Sequence, residues 1–171
     1  SLTSVTIPDS VTTIGNFAFY NCSSLTNIFV NEGNNTYQSI DGDLYTKDGK
    51  TLIQYAIGKK ATIFVIPNTV TLISDYAFYK CANLMSVVIP DSVTTIGSSA
   101  FYFCDNLTSV EIGNGVTSIG SSAFYSCDSL CKVINHRNLA FTIGSSNNGY
   151  IAYYTKILID KNENATYKDG K

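Results

Sequence analysis

The sequence has little charge, no tryptophan, a single histidine and no cluster of basic side chains. Lysine, arginine, aspartate and glutamate make up 14% of the 171 residues, and the formal net charge is -2 at pH 7. An average soluble protein has roughly 25% charged residues. Nucleic-acid binding needs a basic stripe that displaces phosphate counterions, so the composition argues against a nucleic-acid partner. No apolar run approaches the about 18 residues that span a bilayer, which argues against a transmembrane helix in these residues.

What the sequence has instead is a repeat of 23 residues. The pattern Leu-x-x-Val-x-Ile-Pro, followed by Val, Ile-Gly, Ala-Phe-Tyr and Cys, begins at Leu2 and returns without a change of residue type at Leu84. A third copy begins at Leu107, with Gly113 in place of the proline. Periods of about 20–50 residues are typical of solenoids, propellers or arrays, because one unit cannot bury its apolar face alone. We count about six units, the sixth degenerate, with Ala152-Tyr153-Tyr154 in place of Ala-Phe-Tyr.

Each unit combines two kinds of local structure. Its Val and Ile lie two residues apart, as on the inward face of a β-strand, and proline closes the strand at Pro8, Pro67 and Pro90. The Ala-Phe-Tyr block predicts a short helical turn on the opposite side. We expect the phenylalanines of successive blocks to form one continuous row in the core, which would contain Phe19, Phe78, Phe101 and Phe124.

The second unit is longer than the others, with 36 residues instead of 23. The extra stretch has apolar pairs at Leu44-Tyr45 and Leu52-Ile53 on either side of Asp48-Gly49. An Asp-Gly turn between apolar pairs is typical of a β-hairpin, which we place over about 36–58. We expect this hairpin to be an added element whose removal leaves the solenoid folded. The solenoid itself is expected over residues 1–160, with a polar tail over 161–171.

The repeat, Leu-Thr-Ser-Val-Thr-Ile-Pro-Asp-Ser-Val-Thr-Thr-Ile-Gly followed by Ala-Phe-Tyr and Cys, resembles the BspA-type (Treponema pallidum type) leucine-rich repeat. The resemblance covers nearly the whole chain. It implies a right-handed leucine-rich repeat solenoid with short parallel strands on one face, turns or short helices on the other, and one inserted β-hairpin. It also implies a secreted or surface-attached protein, since several family members are described as adhesins that bind host matrix proteins or other cells. The family has no shared catalytic motif.

The residues that point outward from the predicted strands are the candidate protein-binding site, because solenoids use their concave faces as extended binding surfaces. By register these residues are Ser4, Thr6, Asn27, Phe29, Ile63, Val65, Ser86, Val88, Ser109, Glu111, Lys132 and Ile134. Four of them are apolar and predicted to be neighbours, namely Phe29, Ile63, Val65 and Val88. Exposed apolar groups of this kind often mark a protein contact. The alternatives are that β-branched residues only suit a strand, or that another segment covers them.

Other side chains give no sign of a catalytic, cofactor or metal site. Four cysteines share one register, and their parallel Cβ vectors disfavour disulfides, so we expect buried, reduced thiols at Cys22, Cys81, Cys104 and Cys127. Zinc is disfavoured because the thiols are one repeat apart and His136 is the only histidine, expected in a solvated loop. The tyrosines after each core phenylalanine could bind a sugar or an extended peptide, or only pack between turns.

These observations favour a non-enzymatic recognition module that binds host or cell-surface proteins. A structural spacer that presents another domain is the alternative. A glycan-active enzyme is a remote possibility, since it would need two acids and the outward face offers only Glu111. Because Leu2 starts directly at a repeat boundary with neither a signal peptide nor a polar capping unit before it, we expect the natural chain to begin before Ser1. Lys168-Asp169-Gly170-Lys171 repeats the turn sequence of Lys47-Asp48-Gly49-Lys50, so we also expect the chain to continue after Lys171.

Overall fold

A computed structural model describes residues 2–137, 139–143, 148–160, 162 and 164–167. Its architecture is a solenoid of short strands and turns, with one three-residue 3-10 turn at Asn148–Tyr150. In chain order the strands are β1 (Ser4–Ile7), β2 (Asn27–Val30), β3 (Tyr37–Ile40), β4 (Asp43–Thr46), β5 (Thr51–Gln54), β6 (Ile63–Val65), β7 (Leu72–Ile73), β8 (Ser86–Ile89), β9 (Thr95–Ile96), β10 (Ser109–Ile112), β11 (Ser118–Ile119), β12 (Lys132–Asn135), β13 (Ile157–Ile159) and β14 (Ala165–Tyr167). The predicted β-rich solenoid is confirmed.

The strands that open each unit stack in parallel along one side of the solenoid. β6, β8, β10, β12 and β13 form a continuous sheet in that order, and β14 joins its far edge antiparallel to β13. β1 and β2 form a separate parallel pair. Partners in the register are one repeat apart, so that Val87, Val110 and Val133 lie side by side and are fully buried. The period of the sequence is therefore the hydrogen-bonding register of the sheet.

The second inward pair of each unit forms a second sheet. Its regular members are the two-residue strands β7, β9 and β11, which pair in parallel. The longer second unit contributes the three antiparallel strands β3, β4 and β5, and β5 pairs in parallel with β7. The insertion is thus a meander of three strands that continues this sheet, with the predicted Asp48-Gly49 turn between β4 and β5.

The expectation that the insertion is an added element is wrong. Leu44 and Leu52 are completely buried, and Tyr45 and Tyr55 are each 1% exposed. Leu44 packs with the core of the first two units, whereas Tyr45, Leu52 and Tyr55 belong to the main core. In the other units, the second inward pair fills this part of the core. The second unit lacks that pair, and the side chains of the insertion fill the space instead. Without them, the neighbouring units would face an empty space.

The insertion also interrupts the first sheet. The Ile28 amide donates a hydrogen bond to the Gly42 carbonyl at 2.8 Å, and the Ser39 hydroxyl donates one to the Ile28 carbonyl at 2.6 Å. The turn between β3 and β4 therefore occupies the edge of β2 that faces the next unit. In the described part of the chain, no strand pairing joins β2 to β6. The sheet is consequently divided between the second and third units.

A row of stacked rings fills the middle of the core, with one member different from the prediction. Phe78 and Phe101 stack at 4.5 Å with an interplanar angle of 12°, and Phe101 and Phe124 stack at 4.9 Å and 7°. Tyr55 stacks on Phe78 at 5.1 Å. Phe19, expected in this row, is half-buried and packs against the separate core cluster of the first two units. We call Tyr55, Phe78, Phe101 and Phe124 the aromatic stack.

The carboxyl-terminal end contains a seventh parallel strand. β13 pairs with β12, and Thr155 occupies the position where Leu107 and Leu130 begin earlier units. Thr155 is completely buried, and its hydroxyl donates a hydrogen bond to the Ile151 carbonyl at 2.8 Å, which satisfies this polar group inside the core. The sixth unit aligns differently from the prediction, since the Phe124 amide bonds the carbonyl of Gly149 instead of that of Ala152. β14 lies beyond residue 160, and the boundary between solenoid and tail at that residue stays a prediction.

Candidate functional site

The outward sides of β1, β2, β6, β8, β10 and β12 form a surface that we call the strand face. The register aligns its residues in rows, and one row of Cα partners runs from Ile63 through Ser86 and Ser109 to Lys132. A second row runs from Val65 through Val88 and Glu111 to Ile134. Ser4 and Thr6 pair with Asn27 and Phe29 on the separate pair of strands. All twelve predicted residues thus lie in the register expected for this face, and their role in binding stays a prediction.

The apolar side chains of the strand face differ in their exposure to solvent. Phe29, Ile63 and Val65 have 49%, 63% and 61% of their surface exposed. Val88 lies beside Val65 and is half-buried. The four apolar residues that we expected as neighbours belong to two different sheets, because the insertion separates Phe29 from the other three. We call Phe29, Ile63 and Val65 the apolar patch.

The other end of the strand face carries a polar group that the sequence prediction missed. His136 follows β12, and its amide donates a hydrogen bond to the Ile112 carbonyl at 3.0 Å. Its Nε2 lies 2.8 Å from Oε1 of Glu111, so the two side chains share a hydrogen bond. His136 is therefore part of the face and not a free loop residue. Its position two residues after Ile134, in the same outward alternation, is the signal in the sequence that could have located it.

Next to this pair is a shallow cavity of about 330 Å³ lined by Val88, Asp91, Glu111, Asn114 and His136 among others. Asp91 is already engaged, since its Oδ1 accepts a hydrogen bond from the Asn114 amide at 2.6 Å. Within the described ranges, no group of three or more histidine, cysteine, aspartate and glutamate side chains is placed to hold a metal ion. What this end of the face offers chemically is hydrogen bonding to a partner.

The cysteines are free thiols inside the stack of units. The thiol of Cys104 donates to the Phe78 carbonyl, and that of Cys127 donates to the Phe101 carbonyl, both at 3.1 Å. Burial raises the pKa of the Cys81 thiol to about 12 and that of Cys104 well above its ordinary value. Cys22 departs from the prediction, since it is only half-buried. It lies in the first unit, which has a neighbouring unit on one side only within this chain.

On the opposite side, the four Ala-Phe-Tyr blocks that begin at Ala18, Ala77, Ala100 and Ala123 form turns instead of helices, and we call this surface the turn face. Its tyrosines form the predicted row, with ring centroids 5.5 Å apart for Tyr20 and Tyr79, 5.6 Å for Tyr79 and Tyr102, and 5.1 Å for Tyr102 and Tyr125. Desolvation by burial, together with a hydrogen bond that the Tyr79 hydroxyl donates to Tyr20, raises the pKa of Tyr79. The rings cover one another, so they stabilise the contact between units.

The fold and its repeated hydrogen-bonding register define a leucine-rich repeat protein. The family model described as "BspA type Leucine rich repeat region" matches residues 1–46 and 55–162 in six copies. The chain therefore belongs to the BspA-type leucine-rich repeat family, and such repeats generally serve as protein-interaction modules. No curated protein sequence matches the chain. Among the described residues, no helix has the length and apolar character required to cross a membrane.

Solved structures show the same fold. The pneumococcal vaccine antigen PcpA is 24% identical with a TM-score of 0.76, and the match covers 94% of this chain and 45% of PcpA. A leucine-rich cell surface protein from Faecalibacterium prausnitzii is 30% identical with a TM-score of 0.65, covering 93% of this chain and 48% of that protein. A leucine-rich repeat protein from Eubacterium ventriosum is 23% identical with a TM-score of 0.61, covering 91% and 50%. The chain spans about half the length of each of these three proteins.

Proposed function

We propose that this chain is a non-enzymatic recognition module that binds a protein partner through its strand face. The observation that carries the proposal is the exposure of Ile63 and Val65, 63% and 61%, next to the break in the first sheet. Large apolar side chains in adjacent positions on a sheet cost solvation free energy unless a partner covers them, and such groups often mark protein contacts. Phe29, on the other side of the break, adds an aromatic side chain of the type that anchors many interfaces.

The rest of the strand face supports a protein partner by its chemistry. Ser86, Ser109, Glu111 and Lys132 extend the face from Ile63 and Val65 across the next strands, with hydroxyl groups and single charges of both signs. An interface with an apolar centre and a polar rim is the common arrangement in protein complexes. Glu111 and His136 already form a hydrogen bond with each other. They can therefore orient polar groups of a partner, but they contribute little net charge to the face.

The location that we propose is outside the cell, on its surface or secreted. Support comes from the Faecalibacterium prausnitzii protein, which is described as a cell surface protein and is 30% identical. Within such a protein, the partner we favour is a host matrix protein or a protein on another cell. Labelling intact cells with an antibody against the solenoid tests the location, and labelling only after lysis would contradict it.

The binding test compares the wild-type chain with a Phe29→Ser/Ile63→Ser/Val65→Ser variant on immobilised fibronectin, fibrinogen and collagen and on whole epithelial cells. A matched control replaces three equally exposed residues elsewhere, as Phe17→Ser/Met85→Ser/Tyr153→Ser. We expect saturable binding by the wild type and the control, and loss of binding by the patch variant with an unchanged melting temperature. Equal binding by all three proteins would contradict a site on the strand face. Absence of binding by the wild type would favour the spacer function.

A further inference from the structure

The turn face has a pocket where the second unit departs from the repeat. Tyr55 stacks on Phe78, which aligns Ala56 with Tyr79, so the tyrosine of this unit is replaced by a buried alanine. Tyr20 and Tyr79, from the first and third units, therefore meet directly with ring centroids 5.5 Å apart. Beside them lies a pocket of about 260 Å³, lined by the side chains of Asn21, Ser23, Ile57, Lys80, Phe103 and Asp105 and by Ala82. We call it the Lys80 pocket.

The ammonium group of Lys80 is held among aromatic rings at this pocket. It lies 5.3 Å from the ring centroid of Tyr20, 5.7 Å from that of Tyr79 and 5.8 Å from that of Phe103. Its Nζ is also 3.5 Å from Oδ1 of Asn21. No carboxylate in the described part of the chain forms an ion pair with Lys80. The pocket therefore presents a positive charge that is positioned by cation–π contacts and is not neutralised by a counter-ion from the protein.

The backbone at this pocket follows the repeat. Asn21, Lys80, Phe103 and Ser126 occupy the same place in the turn blocks of the first, third, fourth and fifth units, and all are left-handed, with φ of 60°, 57°, 59° and 55°. Asparagine tolerates this conformation, whereas lysine and phenylalanine adopt it at a cost in free energy. The side chains of Lys80 and Phe103 line the pocket from these unfavourable positions.

We propose that the Lys80 pocket binds an acidic sugar, a single pyranose ring that carries a carboxylate. The ammonium of Lys80 would pair with the carboxylate, and the apolar surfaces of Ile57 and Phe103 suit the C–H face of the ring. Asn21 would bond a sugar hydroxyl, and Asp105 would bond hydroxyls on the side of the ring away from Lys80. The pocket is smaller than the about 300–1,000 Å³ of sites for drug-sized ligands, which limits the ligand to one ring.

The test measures binding of N-acetylneuraminic acid and glucuronic acid to the full chain by saturation-transfer NMR and calorimetry. Glucose, acetate and a tripeptide with a free carboxyl terminus serve as comparison ligands. We expect millimolar binding of at least one of the two acidic sugars, and binding of the comparison ligands at least about tenfold weaker, since each lacks either the charge or the hydroxylated ring. Acetate or the tripeptide binding as tightly as the sugars would overturn the proposal in favour of a general carboxylate site. Absence of binding by both acidic sugars would overturn it as well.

Two variants separate binding from folding. Lys80→Asn and Phe103→Asn each remove a pocket side chain and place asparagine at a left-handed position, so we expect a melting temperature equal to or above that of the wild type and a loss of sugar binding of about tenfold or more. Lys60→Asn, at an exposed lysine outside the pocket, should bind as the wild type does. Retained binding by Lys80→Asn would overturn the proposal. The strand-face variant of Phe29, Ile63 and Val65 should bind the sugar normally, which keeps the two proposed sites distinguishable.

Discussion

The regular units and the long second unit both contribute to the solenoid core, but they fill it with different side chains. The regular units bury side chains of the same type at the same positions, and Phe78, Phe101 and Phe124 are completely buried. The second unit, over 25–60, departs from the repeat and buries polar groups as well. Asp43 has no exposed surface, and its carboxylate accepts a hydrogen bond from the Ala56 amide at 2.8 Å and lies 2.7 Å from Lys59 Nζ.

The comparison shows what an insertion must supply to enter a solenoid. A regular unit depends on an identical neighbour, whereas the insertion carries its own apolar residues and satisfies the backbone groups that the repeat would have paired. Asn34 illustrates this, since its buried side-chain amide donates to the carbonyls of Pro8 and Val11 and accepts from the amides of Thr36 and Tyr37. The insertion also creates both proposed sites. It exposes the apolar patch at the break in the sheet, and it leaves the Lys80 pocket on the turn face.

The largest loss of stability is expected when the meander is removed. Replacement of residues 37–54 by a short glycine linker deletes Leu44, Tyr45 and Leu52 from the core, so we expect the first two units to unfold. The measurement is far-ultraviolet circular dichroism with urea unfolding, in which the β-type signal should fall and the midpoint should drop. Lys47→Gly/Lys50→Gly, which alters only the exposed turn of the meander, is the control. An unchanged midpoint after the deletion would show that the insertion is separable.

Two phenylalanines of the same sequence register should differ in their contribution to stability. Phe101 is stacked between two rings, and Phe101→Ala should lower the unfolding free energy by about 3–5 kcal/mol, because a cavity is left on both sides. Phe19 is only half-buried and lies outside the aromatic stack. Phe19→Ala should cost about 1–2 kcal/mol, as expected for partial loss of apolar burial. Equal losses in chemical denaturation would contradict the assignment of Tyr55, and not Phe19, to the stack.

The buried ion pair of the second unit is the next point of difference. Asp43→Ala leaves the Ala56 amide without its acceptor and removes the partner of Lys59, so we expect a loss of about 2–4 kcal/mol. Asp9→Ala, at an exposed aspartate, is the control and should change the unfolding free energy very little. A loss as small as that of the control would mean that the second unit does not depend on this pair.

The Asp43 carboxylate should also make the stability of the protein depend on pH. Burial raises the pKa of Asp43 above 3.8, against the opposing effects of the Ala56 amide and Lys59. The folded protein therefore holds this proton more tightly than the unfolded chain, and the stability that results is present below pH 3.8 and is lost as pH rises through the raised pKa. The unfolding free energy of the wild type relative to Asp43→Asn should decrease between acidic and neutral pH. An increase would show that the attraction of Lys59 exceeds the effect of burial.

The smallest effect concerns thiol reactivity. Cys81, Cys104 and Cys127 lie inside the regular units, whereas Cys22 and Cys131 are half-buried. Only thiolates react rapidly with alkylating reagents, so burial should protect the first three, and the raised pKa values of Cys81 and Cys104 should slow those two further. Iodoacetamide labelling of the native protein, followed by mass spectrometry, should modify Cys22 and Cys131 first. Labelling of all five at one rate would contradict the packing of the regular units.

Much of the fold could be predicted because residues one repeat apart in the sequence are hydrogen-bonding neighbours in the sheet. The outward residues of the strands and the row of tyrosines follow from residues one period apart, and the β-hairpin at Asp48-Gly49 follows from its turn residues. The aromatic stack was misassigned because the second unit carries Tyr55 where the others carry phenylalanine, although Tyr55 lies one period before Phe78. The pocket at Lys80 could not be predicted, since it arises where the second unit departs from the period. The contact of Glu111 with His136 could not be predicted because it depends on side-chain conformations that the register does not specify.

Hydrogen–deuterium exchange with mass spectrometry gives the most direct test of the central claim, that the insertion is a folded part of the solenoid core. The account predicts that amides of β4 and β5 exchange as slowly as those of β8 and β10, because their side chains are equally buried. Exchange of residues 37–54 on the time scale of exposed turns, with β8 and β10 still protected, would contradict it.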